Sequence, residues 1–139
     1  MQGTVLALHK DIGLLFAVAV ALENDKIGLI PAASVKQAHL LMKELSPRLD
    51  VLIIECRIRG VCRFADGVRE RVPDAGIVGV LSESHDCGAC RNLLTATLRA
   101  DQANEVQRWA SVIRTLVRRN RENAKAAASR MRTMTRRQG

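Results

Sequence analysis

Leu49-Asp50-Val51-Leu52-Ile53-Ile54-Glu55-Cys56-Arg57-Ile58-Arg59-Gly60 is the stretch whose reading decides the fold. A β-branched apolar run ends on one carboxylate and then breaks at a glycine. Val51 to Ile54 show no polar alternation, which marks a strand buried on both faces, the central kind in a parallel sheet. Open α/β sheets place their sites just past the carboxyl ends of such strands, where Glu55 stands.

Working outward, apolar runs and helical segments alternate. Thr4 to Leu8 reads as a first strand, and Asp11 can cap a helix to about Asn24 with an apolar surface almost all round. Lys26 to Ile30 is a weaker strand stopped by Pro31. Ser34 caps a helix to about Leu45, ended by Ser46-Pro47. After the central strand, a helix is expected from Val61 to Arg71, weakened by Gly67. Gly76 to Ser82 is another buried strand, Glu83 to Asn92 a loop or very short helix, and Leu94 to Leu98 a short strand. Asp101 caps a long helix whose apolar stripe runs through Val106, Trp109, Ala110, Ile113, Leu116 and Val117. Five strands alternating with helices predict an α/β fold, a doubly wound parallel sheet with helices on both faces.

The 139 residues fit one domain with a substantial core, since 47% are hydrophobic. Aromatics are confined to Phe16, Phe64 and Trp109, so the core is aliphatic. Ile12 to Leu22 is apolar but too short to span a bilayer. It mimics a signal-peptide core with Ala19-Val20-Ala21 as a cleavage-like pattern. Lys10 is cancelled by Asp11, however, and a strand-like run precedes both, so a folded cytoplasmic protein without membrane contact is expected.

The net charge of +8 is uneven. Residues 1–113 carry 13 basic and 13 acidic side chains, whereas residues 114–139 carry 9 basic residues and only Glu122. The body is neutral, and the basic character belongs to the C-terminal end. The expected division is a folded domain over 1–119 and a basic extension over 120–139, partly helical or disordered. That extension either is a solvated tail or contacts nucleic-acid phosphates; without aromatics, such binding would be unspecific and salt-sensitive.

This order of elements resembles the receiver domain of bacterial response regulators over about residues 4–119. The matching pieces are Asp50 to Glu55, Gly60 five residues on, Ala32-Ala33-Ser34 with Ala38 opening the second helix, and the strand Ile77 to Ser82 ending in a hydroxyl. The resemblance implies a flavodoxin-like sheet of order 2-1-3-4-5. It also implies roles that this sequence departs from. The phosphoacceptor aspartate falls on Glu55, and the magnesium-holding acidic pair on His9 and Lys10, with Asp11 one place later. The switch hydroxyl falls on Ser82, and the family's lysine on Arg99 if the last helix sets the register, which is preferred, or on Thr95 if Gly88-Ala89 sets it. The segment from Ser82 to Arg99 is short, so the fourth helix is shortened. Phosphoryl transfer to a carboxylate needs a metal and a cation, and magnesium wants carboxylate oxygens. The chain therefore reads as a degenerate receiver, without cofactor, that does not run phosphorelay chemistry. Lys10 or Arg99 could pair with Glu55 and hold one conformation. The expected mode of action is contact with a protein partner, or self-association, through the fifth strand and the last helix around Trp109. No nucleophile–base pair or glycine-rich phosphate loop suggests an enzyme.

Four cysteines fall in the middle of the chain: Cys56, Cys62, and Cys87 and Cys90 in a C-x-x-C pair. In the expected fold they follow neighbouring strands three and four. Reduced thiols are the default for a chain with a sufficient core. Three readings stay open: buried small hydrophobes, a four-thiolate zinc site with His85 as a spare ligand, and a redox switch at Cys87 and Cys90.

Overall fold

A computed structural model describes residues 3–45, 48–81, 92–99 and 105–138, with side chains to residue 134 in the last segment. The elements in chain order are β1 (Gly3–Leu8), α1 (Ile12–Leu22) with a 3-10 turn (Glu23–Asp25), β2 (Ile27–Ala32), α2 (Val35–Leu45), β3 (Val51–Glu55), α3 (Val61–Arg71), β4 (Gly76–Leu81), β5 (Ala96–Arg99) and α4 (Glu105–Gln138). The sheet is parallel throughout and ordered β2-β1-β3-β4-β5. This is the doubly wound, flavodoxin-like order expected from the sequence.

Side-chain alternation along each strand feeds two cores. Leu52 and Ile54 of β3, with Leu6, Leu8 and Ile77, meet Ala38 and Met42 of α2 and Phe64 and Val68 of α3. Val51 and Ile53, with Val5, Ala7, Val78 and Val80, meet Leu15 and Val18 of α1 and Trp109, Ile113 and Val117 of α4. Every residue of β3 is buried, as the uninterrupted apolar run requires.

The caps are those expected. Asp11 Oδ1 accepts from the Leu14 N–H at 3.0 Å, and Ser34 Oγ from the Gln37 N–H at 3.2 Å. Gly60 precedes α3 at φ 79°, a conformation that side chains with a Cβ rarely adopt. The layers close tightly at Gly76, where an added Cβ would come within 3.3 Å of Leu116.

Three expectations need correction. Pro31 does not stop β2 but lies inside it; β2 is an edge strand, so the missing N–H has no ladder partner to lose. The last strand begins at Ala96 rather than Leu94, because Leu93 and Leu94 pack into the α2/α3 core. Trp109 is not a surface residue: it is fully buried and packs against the His9 ring. A contact surface on β5 and the last helix therefore excludes its side chain. The shortened fourth helix, the helix end expected at Ser46-Pro47 and the cap expected at Asp101 lie outside the described residues.

Helix α4 crosses residue 119 without a break. Its attachment to the body extends to Asn120 and Arg121, which donate to the buried Asp50 carboxylate at 2.8 and 3.0 Å. The same carboxylate accepts from the Thr4 N–H of β1 at 2.9 Å. Higher up, Arg114 binds Asp25 at 2.6 Å and the Ala21 carbonyl at 3.0 Å. From Arg121 to Met134 the helix is exposed. Asp50→Ala should lose about 3 kcal/mol in urea unfolding, since it strands a buried N–H and two side-chain donors. It should also raise amide exchange in the helix beyond Val117, whereas Asp50→Asn should lose less.

Candidate functional site

Strands β1 and β3 are adjacent and in register, with Leu8 beside Ile54. The next residue on each, His9 and Glu55, therefore emerge together at the carboxyl edge of the sheet. They line a pocket of about 260 Å³ with Lys10, Asp11, Arg57 and Leu81. Glu55 is buried, and its carboxylate is held from three sides. Oε2 accepts from the Lys10 backbone N–H at 3.0 Å and lies 3.9 Å from His9 Nε2. Oε1 lies 3.9 Å from Arg57 Nε.

His9 is buried between this carboxylate and Trp109, whose ring meets it edge-on at 5.4 Å. Its Nδ1 accepts from the Asp11 N–H at 3.0 Å, which fixes the neutral tautomer with hydrogen on Nε2, toward Glu55. Burial pushes the imidazole pKa below its usual value, against the opposing pull of the Glu55 and Asp11 carboxylates.

The structure brings Glu55, His9, Lys10 and Asp11 into one pocket, as the sequence placed them. The cation facing Glu55 is Arg57, however, and not the side chain of Lys10 or Arg99. Lys10 contributes its backbone N–H. Arg99 ends β5, is exposed, and is separated from β3 by β4, about 9–10 Å across the sheet. Arg57 wins by chain proximity, two residues beyond Glu55. Ser82, His85, Cys87 and Cys90 lie outside the described residues.

Cys56 and Cys62 follow β3 and open α3, and both are disulfide-bonded. The expectation of reduced thiols is corrected for these two. A disulfide and a thiolate zinc site are alternative states of the same sulfurs, because zinc binds the deprotonated thiol.

Magnesium, which the resemblance brings to this pocket, does not fit the residues present. One Glu55 oxygen is taken by a backbone N–H, and an Asp11 oxygen caps α1. Among the described residues, the other charged groups of the pocket, Lys10 and Arg57, are cationic. Among the described residues no cluster of three or more carboxylate, imidazole or thiol ligands could hold a metal.

No family model and no curated protein matches the sequence. Solved structures do match in shape. NtrX from Brucella abortus in complex with ADP aligns with a TM-score of 0.78 at 15% identity, over 96% of this chain and 30% of that one. A response regulator receiver domain protein from Clostridium thermocellum aligns at 0.69 and 14% identity, over 86% and 97% of the two chains. An adenylate cyclase from Rhodopirellula baltica aligns at 0.70 and 14% identity, over 97% and 98%. The chain thus has the receiver fold of response regulators. It spans 30% of the NtrX chain.

Two contributors to the site escaped the sequence reading. Arg57 could have been found from its place two residues past Glu55. The His9–Trp109 contact could not, since the two residues lie 100 positions apart.

The His9 environment sets a pH dependence. The folded pKa is depressed, so the unfolded chain binds the proton more readily, and stability falls as pH drops. The contribution is whole above about pH 6.5, the unfolded value, and is lost as pH falls toward and through the folded value. Urea midpoints measured from about pH 7.5 to about pH 5 should fall more steeply for the natural protein than for His9→Gln.

Proposed function

We propose that this chain is an atypical receiver domain in signal transduction, acting by protein–protein contact without phosphorylation of an aspartate. The observation that carries the reading is the state of Glu55. It stands at the carboxyl end of the central strand, where the fold places its acceptor, and the Lys10 N–H and Arg57 already engage its oxygens. The acid pair that would hold a metal beside it is replaced by His9 and Lys10. Such a pocket carries a fixed negative charge against fixed donors, so one arrangement of the surrounding loops is favoured without a phosphoryl group. The domain then works as a binding module rather than an enzyme, in the cytoplasm.

A contact function is supported by apolar side chains left on the outside. Ile12, Phe16 and Val20 lie on one stripe of α1 and are 51%, 71% and 50% exposed. A Phe exposed to that degree amid other apolar residues on a helix is the kind of surface partners cover. Purified protein incubated with a small-molecule phosphodonor and magnesium should show no mass gain in intact-mass spectrometry. A stable single phosphoryl adduct overturns the reading.

A second reading is favoured by one observation: both described cysteines are oxidised. On that reading the carboxyl edge of β3 carries a redox-responsive element. Alkylation of the unreduced, denatured protein should label fewer than the four cysteines of the chain, and prior reduction should restore four labels. Four labels without reduction, or stoichiometric zinc by elemental analysis, overturn it.

A further inference from the structure

Helices α2 and α3 lie side by side on the sheet face opposite α1 and α4. Between them runs a groove of about 390 Å³, within the size range of ligand sites. Its walls are apolar: Val35 and Met42 from α2, Phe64 and Val68 from α3. His39 meets the Phe64 ring edge-on at 5.0 Å.

Gly67 lies in the middle of α3, where glycine costs about 1 kcal/mol relative to alanine. Its φ is not positive, so the backbone does not demand it. A Cβ added there would meet nothing within 4 Å, so packing does not demand it either. This differs from Gly3 and Gly79, where a Cβ would run into Val117 and Leu94. What glycine does at position 67 is leave the middle of the groove open.

Arg63 and Arg71 stand one turn to either side of Gly67 and complete the lining. Four other arginines, Arg57, Arg69, Arg114 and Arg121, are engaged by carboxylates or carbonyls. Arg63 and Arg71 have no hydrogen-bond or ion-pair partner among the described residues. Among the described residues no acidic side chain lines the groove; Asp66 and Glu70 of α3 are exposed and lie outside the lining. The two arginines are eight helical positions apart, about 12 Å along the axis. In an extended chain, residues i, i+2 and i+4 share a face and span about 13 Å.

We propose that this groove docks an extended acidic segment of a partner protein, with an aliphatic side chain over Gly67 and a carboxylate two residues to either side meeting Arg63 and Arg71. The guanidinium fork suits carboxylates, and the apolar floor between the cations suits the aliphatic side chain. The groove lies on the sheet face away from α4 and its basic extension, so its charge is a separate feature. It is also independent of the state of Glu55.

The probe is the heptapeptide Ser-Glu-Ser-Leu-Ser-Glu-Ser, titrated at low salt into the isotopically labelled 139-residue chain and followed by amide chemical shifts. Shifts should centre on Arg63 to Arg71. Gly67→Leu, which should fold at least as stably in urea, should weaken binding tenfold or more, as should the double variant Arg63→Glu with Arg71→Glu. A peptide with Gln in place of both Glu residues should bind as weakly. The proposal is overturned if the natural protein shows no shifts in this groove or if Gly67→Leu binds unchanged. Equal binding of the Gln peptide, or a short DNA duplex producing the same shifts more strongly, also overturns it.

Discussion

The central strand β3 is buried on both faces and carries a carboxylate at each end. Asp50 enters it and Glu55 leaves it, and neither is free to be solvated. A carboxylate taken out of water needs donors, and the fold supplies them from elements distant in sequence. Asp50 collects the Thr4 N–H, Asn120 and Arg121, which joins the start of β1 to helix α4. Glu55 collects the Lys10 N–H and the field of Arg57, which joins the loop after β1 to the loop after β3. The first attachment holds the architecture, and the second defines the pocket.

The same economy explains the chemistry. In this fold a metal and a cation ordinarily share the task of surrounding an acceptor carboxylate with positive charge. Here backbone and side-chain donors of the chain itself surround Glu55. His9, a neutral imidazole wedged against Trp109, stands beside it with Nδ1 occupied by the Asp11 N–H.

Most of the architecture was legible in the sequence because it rests on short-range signals. The apolar runs, the capping Asp11 and Ser34, and Gly60 all act within a few residues of where they are read. The region from Glu55 back to His9 was legible too, because parallel neighbours in register carry their edge residues side by side. What escaped depends on tertiary placement. Pro31 is compatible with a strand only once β2 is known to lie at the edge. Trp109 on an amphipathic stripe can face a core or a partner, and only the site of His9 decides which. The attachment of α4 beyond residue 119 joins Asn120 to Asp50, 70 residues earlier. The oxidation of Cys56 and Cys62 is a matter of sulfur proximity that spacing does not encode.

The unsupported end of α4 has a mechanical consequence. Seventeen residues follow the Asp50 anchorage at Arg121 before the helix ends at Gln138, a rod of about 25 Å. A lever of that length fixed at one fulcrum magnifies whatever happens at its root: a tilt of about 10° sweeps the tip through about 4 Å. A rearrangement at the base of the sheet that tilted the helix would thus be largest at Gln138.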